Sequence, residues 1–331
     1  MVVAEQPDPQ PGVGEVLVSV HSCGICGSDV HMAEAGAGQP GSIPGHEFSG
    51  TIAALGPDVS DWRAGQPVAV NPLAGCGSCE FCARAMPILC RGRPNLGLNA
   101  PGGFAEYVVA HHSQLFAIPE GMALELGSRT EPLAVGLRAI AEAHPAPGDN
   151  ALVFGVGPIG LCVILGLRAS GAGCIVAVGR SSAGRRVAAA AVGADVVLDS
   201  RHTDVAQYVR DAGLVVSQAY ECSGDRQALV ACQHSVRAGG TVVGVALGGT
   251  VDLDLHTFVG RGQRLVSACA YGEREFRRAL ELIGSGVVDV RPLISERVPL
   301  RAAADAFVRL RQPGDLVSVL VQPGYLGKGP D

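Results

Sequence analysis

Residues 151–160 read "ALVFGVGPIG", and this stretch decides the architecture. The apolar run 151–154 suits a buried strand, and it breaks on Gly155, Gly157 and Gly160 in G-x-G-x-x-G spacing. A helical run, "PIGLCVILGLRASG", follows at once, with Pro158 and Ile159 opening it between the second and third glycines. Physically, the first glycine permits a tight turn, the second lets a pyrophosphate approach the backbone, and the third lets the helix pack on the strand. The first helical N–H groups then face the phosphates. The context of a strand before and a helix after is what lifts the glycine spacing above coincidence.

Working outward, the pattern from residue 151 repeats as strand, helix, strand. "CIVAVG" (174–179), a helix over 183–193, "DVVLD" (195–199), "LVVSQAYEC" (214–222), "GGTVVGVAL" (239–247) and "RLVSACA" (264–270) are nearly uniform apolar runs. Such runs belong to parallel strands covered on both faces. The fold class is therefore α/β, with a Rossmann doubly wound parallel sheet. Upstream the texture differs: "GEVLVSV" (14–20), "EFSGTIAAL" (47–55), "QPVAV" (66–70) and "GGFAEYVVA" (102–110) read as short strands between Gly/Pro/Asn turns. "LAVGLRAIAEA" (133–143) has helical spacing. The last stretch, 298–323, reads as a helix and a final strand that we place back on the first, β-rich unit.

About twenty residues beyond the glycine turn, a carboxylate would accept hydrogen bonds from the ribose 2′-hydroxyl of NAD. Gly179, Arg180 and Ser181 stand there, with Arg185 and Arg186 on the next helix. A guanidinium pairs with a 2′-phosphate where a carboxylate repels it, so the expectation is NADP preferred over NAD. The opposing reading leaves Arg180 a solvated loop residue of an NAD enzyme.

The 331 residues suffice for two domains. With 47% apolar and 17% charged residues and a net charge of −6, the chain gives no reason to expect nucleic acid or an anionic membrane as partner. The opening "MVVAEQPDPQPGVG" lacks the basic start and apolar core of a signal peptide, which points to the cytoplasm. Eleven cysteines in such a chain read as metal ligands before disulfides.

Four of them, Cys76, Cys79, Cys82 and Cys90, follow C-x2-C-x2-C-x7-C spacing. Four thiolates close a tetrahedral zinc shell with no open position, which makes the site structural; an iron–sulfur cluster or unligated thiols remain the alternatives. A second set is dispersed. "HSCGICGSDVH" (21–31) supplies Cys23 and Cys26, "PGHEFSG" (44–50) supplies His46 and Glu47, and "TEPLAVG" (130–136) supplies Glu131. One cysteine, one histidine and one or two carboxylates, completed by water, would make an open, catalytic zinc site. Singly, each residue has an ordinary explanation as a turn or core residue.

Together these pieces resemble the zinc-dependent medium-chain alcohol/polyol dehydrogenases, the sorbitol, butanediol and threonine dehydrogenase-like branch, over nearly the whole chain. The matching stretches are "CGICGSDVH", "GHEFSG", the four-cysteine loop, "GGFAEYVV", "EPLAVG", "VFGVGPIG" and "YECSG" (220–224). The resemblance implies a GroES-like β-rich catalytic domain (1–132 and 291–331) beside a Rossmann domain (133–290). It implies Cys26 and His46 as ligands of the catalytic zinc with Glu47 or Glu131, no metal role for Cys23, and a proton relay through Ser28 and His31. The implied reaction is hydride transfer between NADP(H) or NAD(H) and a secondary alcohol, diol or polyol, in a homodimer or homotetramer. Two departures accompany it. The chain opens at what corresponds to the second segment of the family pattern, and Ser318 stands where many relatives carry a basic residue. Two rival readings remain at this point: a zinc-free enone or quinone reductase, which would lack Cys26, His46 and the four-cysteine loop, and a nucleotide- and metal-binding protein without turnover.

Overall fold

The computed structural model describes residues 2–36, 41–73, 75–84, 86–180, 182–312 and 314–325. Two sheets carry the architecture. The first is built from β1 (Glu15–Gly24), β2 (Glu47–Leu55), β3 (Pro67–Val70), β4 (Tyr107–His111) and β5 (Leu115–Ala117), mostly antiparallel. The second contains β6 (Asn150–Phe154), β7 (Ile175–Gly179), β8 (Val196–Asp199), β9 (Val216–Glu221), β10 (Val236–Gly244) and β11 (Arg264–Ser267), all parallel, in the order β11-β10-β9-β6-β7-β8. The strand order reverses direction at β6, which puts the cofactor crevice at the carboxyl ends of β6, β7 and β9.

β12 (Ile294–Val298) and β13 (Ser318–Val321) return to the first sheet, β13 pairing with β1 through Cys23↔Val321 and Gly24↔Leu320. The strand "EFSGTIAAL" forms as read, over the same residues. "GGFAEYVVA" is shorter than expected: pairing starts at Tyr107 because Gly102, Gly103 and Phe104 spend their N–H groups on the carbonyls of Ile43, Gly45 and Pro44. That stitch fixes the loop leading into His46.

Helix α1 (Gly27–Glu34) follows β1 directly, and helix α2 (Thr130–Ala143) starts three residues before the apolar spacing signals it. Pro132 fits in its first turn, where no N–H is needed. Helix α3 (Pro158–Ala169) is buried from Gly160 through Leu167, which explains its lack of a polar face. Gly155 takes φ +103°, and a Cβ there would lie 2.8 Å from the backbone of Cys222 and Ser223, so the turn requires glycine on both counts. One core cluster joins the two sheets, running from Ala69 and Phe116 through Leu133 and Ile140 to Leu161 and Phe276. Phe116 and Phe276 touch across it with ring centroids 4.9 Å apart. No helix among the described residues is long and apolar enough to cross a membrane.

Candidate active site

Gly24, the last residue of β1, pairs with Glu47, the first residue of β2. The chain leaving β1 towards Cys26 and the chain entering β2 through His46 therefore meet at one corner of the sheet. Cys26, His46 and Glu47 each bring a ligand atom within 4.8 Å of the other two. His46 and Glu47 are buried, and Cys26 is partly exposed.

The surroundings orient this trio. Asp29, in the first turn of α1, sets Oδ1 3.5 Å from His46 Nδ1 while its Oδ2 accepts the N–H of Cys26. With Nδ1 held against a carboxylate, Nε2 is the nitrogen left for a cation. Glu47 Oε2 lies 2.8 Å from Arg129 Nη2, and both side chains are almost fully buried. Arg129 Nη1 donates to Ser318 on β13 at 2.8 Å, and its Nε donates to Ser128. A Cβ at position 24 would fall 1.7 Å from Nη2 of Arg129 and 2.3 Å from Glu47 Oε2, so this close ion pair fits only against glycine. Ser318 thus has its basic neighbour after all, delivered from the N-cap of α2 instead of from its own position.

Burial pushes the Cys26 thiol up, while the adjacent His46 pulls it down and Glu47 pushes it up again. For His46 burial acts downward, but the Cys26 thiolate and Asp29 outweigh it, and the imidazole ends above its usual range. Glu131 is buried close by, outside the tight trio, with its carboxyl raised to about 7 by burial, lowered by His46 and raised by Glu47. Tyr271, from the loop after β11, is fully buried and near enough to Glu131 for each to perturb the other, although its hydroxyl has no aligned hydrogen-bond partner. The buried atoms Asp29 Oδ1, His46 Nδ1, Glu47 Oε2 and Arg129 Nη2 likewise lack aligned hydrogen bonds. Thiolate, imidazole and carboxylate at this spacing fit zinc.

Cys76, Cys79, Cys82 and Cys90 also gather, all four sulfurs lying within 4.8 Å of one another. The backbone N–H groups of Cys76 and Gly92 donate to Cys90 Sγ at 3.3 Å, which lowers that thiol. Ser78 and backbone N–H groups bring Cys76 down to about 5, whereas burial first of all lifts Cys82 to about 11. N–H groups aimed at sulfur favour thiolate, the form that binds metal. A four-sulfur shell has no open position.

Ser28 lies in α1 next to the trio, partly buried, and His31 follows one turn later, 77% exposed, with Nδ1 3.6 Å from Glu34. At the cofactor end Gly155, Gly157, Pro158, Ile159 and Gly160 form the turn and first helical residues, and Gly179 closes β7. Arg180 reaches from that point to Asp225, Nη1 to Oδ2 at 2.9 Å. Arg185 does not face the crevice as a free cation: its Nε and Nη2 both donate to the Leu316 carbonyl. Ser181 lies outside the described residues. Sequence reasoning missed Asp29, Arg129 and Tyr271. Asp29 was visible only as a polar residue opening a helix, and Arg129 and Tyr271 carry no local signal at all.

With this geometry in hand, comparison with known proteins decides the family. Residues 12–120 match the alcohol dehydrogenase GroES-like domain, and residues 158–285 match the zinc-binding dehydrogenase domain. The sorbitol dehydrogenase of Bacillus subtilis is 30% identical over 96% of this chain and 92% of its own. The chain belongs to the zinc-dependent medium-chain alcohol/polyol dehydrogenases. Among solved structures, a protein of Sinorhizobium meliloti bound to NADP superposes on the dehydrogenase with a TM-score of 0.90 at 30% identity, covering 97% of this chain and 96% of the other. The 2R,3R-butanediol dehydrogenase of Bacillus subtilis gives a TM-score of 0.87 at 30% identity, with the same coverage. The dehydrogenase is therefore a zinc-dependent oxidoreductase that passes a hydride between a nicotinamide cofactor and an alcohol, diol or polyol.

The buried Arg129–Glu47 pair generates a stability prediction. Arg129→Met leaves a carboxylate uncompensated in the interior and should cost about 3–5 kcal/mol. Adding Glu47→Gln should recover a large part of that loss. Denaturant melts of the two variants check this; equal stability of wild type and Arg129→Met would show that the pair carries no such weight.

Proposed function

We propose that the dehydrogenase interconverts a secondary hydroxyl of a small diol or polyol and the corresponding ketone. The substrate class is supported by the relatives' names, sorbitol and butanediol dehydrogenase among them. The observation that carries the assignment of the site is the convergence of Cys26, His46 and Glu47 within 4.8 Å at the end of β1, with Asp29 behind the imidazole. In this reading Cys26, His46 and a carboxylate from Glu47 or Glu131 hold a catalytic zinc, and Cys76, Cys79, Cys82 and Cys90 hold a second, structural one. When bound, the catalytic ion polarises the substrate oxygen and the nicotinamide takes up hydride.

The protein's own residues handle the proton and the placement. Ser28 accepts the hydroxyl proton and His31, one helical turn on and open to water, carries it away. Asp29 fixes the His46 ring. Arg129 neutralises part of the charge on Glu47, so the ligand set does not accumulate negative charge in a dry corner. The catalytic unit would comprise residues 1–132 and 291–331 and the cofactor unit residues 133–290, with the substrate between them. Thiols grouped at two sites favour a reducing compartment, and we place the enzyme in the cytoplasm.

For the cofactor we propose a preference for NADP over NAD. No carboxylate ends β7; the exposed guanidinium of Arg180 stands there instead. Arg185 spends its Nε and Nη2 on the Leu316 carbonyl, which leaves Arg180 as the guanidinium that carries this reading. The enzyme would assemble as a homodimer or homotetramer through the unpaired edge of β11, where Leu247, Leu255, Val259 and Leu265 are all exposed.

Three measurements test these assignments. Cys26→Ser should remove the metal of one site by elemental analysis and lower turnover by roughly 10³-fold, since the ion carries the polarisation of the substrate oxygen. NADPH binding should persist in that variant, and undiminished turnover would end the assignment of this site. Arg180→Asp should move the kcat/KM ratio towards NADH by about tenfold, ~1.4 kcal/mol; an unaltered ratio would reject the role given to Arg180. Val259→Asp with Leu265→Asp should reduce the particle mass in light scattering to that of one chain, and a mass that stays the same would exclude the β11 edge.

A further inference from the structure

We infer that Asp225 is a specificity-determining residue of the cofactor crevice: its carboxylate is the counter-charge of Arg180 and limits how far the enzyme favours a 2′-phosphorylated dinucleotide over a plain one. The inference rests on the reading of Arg180 given above and extends it to a residue on another strand.

The carboxylate missing from the end of β7 is present in space. Asp225 follows β9, and its Oδ2 lies 2.9 Å from Arg180 Nη1. The loop that carries it sits in the crevice, because Cys222 and Ser223 press their backbone against Gly155, the first glycine of the phosphate turn. The loop is also held firmly. Glu221 accepts from the N–H and hydroxyl of Ser223 and from the N–H of Gly224, and Ser223 Oγ accepts the N–H of Asp225. Asp225 Oδ1 caps the helix Arg226–Ser235 by accepting the Gln227 N–H at 2.8 Å. The negative charge therefore cannot withdraw.

Arg180 can. Its side chain is 68% exposed, and an ion pair open to water is worth little, so the guanidinium can exchange partners. A phosphate monoester on the 2′ position brings close to two negative charges and would draw Arg180 across. Asp225 would then stand unpaired beside the phosphate, competing for the arginine and repelling the newcomer. With a plain ribose Arg180 keeps its partner and no such penalty arises. The other arginines of this turn are engaged elsewhere, Arg185 with the Leu316 carbonyl and Arg186 with Asp199 at 3.2 Å. The alternative is that Asp225 does nothing but cap its helix. Asn caps a helix as well as Asp, so Asp225→Asn removes the charge and keeps the cap.

The test is calorimetric titration of the full-length, zinc-loaded enzyme with 2′,5′-ADP and with 5′-AMP, which report the adenosine end without turnover. The readout is the ratio of the 5′-AMP dissociation constant to that of 2′,5′-ADP. In Asp225→Asn this ratio should rise roughly three- to tenfold, with the gain shrinking as salt shortens the screening length. An unchanged or lower ratio overturns the inference. So does a loss of 5′-AMP affinity in that variant, which would make Asp225 a ribose acceptor. Arg180→Ala separates the two layers of the argument. If it lowers the ratio while Asp225→Asn leaves it alone, only the counter-charge role fails; if it too has no effect, the NADP reading fails with it.

Discussion

The corner that gathers Cys26, His46 and Glu47 depends on the antiparallel register that sets Gly24 opposite Glu47. Cys26 and His46 are twenty residues apart in the chain, and only this pairing delivers them to the same place. A slip of one residue would turn every side chain of β2 to the other face and send Glu47 away from the cysteine. Two register shifts, between Leu17 and Val18 and between Val20 and Ser22, interrupt the pairing of β1 with β2 before the strand reaches the corner. Bulges of this kind commonly re-aim a strand end beside a reactive site. The stitch of Gly102, Gly103 and Phe104 to Ile43, Gly45 and Pro44 holds the incoming segment from the other side.

Registering the strands brings a cost, because it gathers Asp29, His46, Glu47, Arg129 and Glu131 where water is nearly excluded. Groups in such surroundings need a partner or are pushed towards the neutral form, as burial does to the Glu131 carboxyl. The pairing is distributed over the fold: Asp29 with His46, Arg129 with Glu47, and Ser318 and Ser128 accepting from Nη1 and Nε of the guanidinium. Residues from β1, β2, β13, α1 and the start of α2 thus share one electrostatic problem. A single buried arginine touching three of these elements explains why the last strand of the chain belongs beside the first.

Much of this was legible in the sequence, and the parts that were not share a cause. The glycine turn of residues 155–160, the strand over 47–55 and the four-cysteine loop are local patterns, set by neighbours a few residues apart. Cys26, His46 and Glu47 were nameable because the resemblance supplied their partners. Arg129 was invisible, since an arginine before a helix reads as a solvated cap until β13 closes over it. The engagement of Arg185 was hidden for the same reason. Its acceptor, the Leu316 carbonyl, is 131 residues away and on a segment that pairs with the other sheet.

That last contact belongs to a seam between the two sheets. Asp315 accepts hydrogen bonds from the Ser182 hydroxyl and the Gly184 N–H, at the first turn of the helix Ala183–Ala191, while Leu316 takes both donors of Arg185. Asp315 and Leu316 lead directly into β13, whose first residue, Ser318, holds Arg129. Within four residues the chain therefore touches the helix that follows β7 and the buried cation behind Glu47. A carboxylate at a helix N-terminus is favoured by the helix dipole, and a guanidinium chelating one carbonyl has little freedom, so the seam is stiff. These bonds tie the helix Ala183–Ala191 to the segment that leads to the ligand corner. The carbon that gives up hydride and the ring that receives it would be held by different sheets, and reaction requires them within van der Waals reach. The polar seam and the Phe116–Phe276 contact are two links between the first sheet and the elements packed around the second.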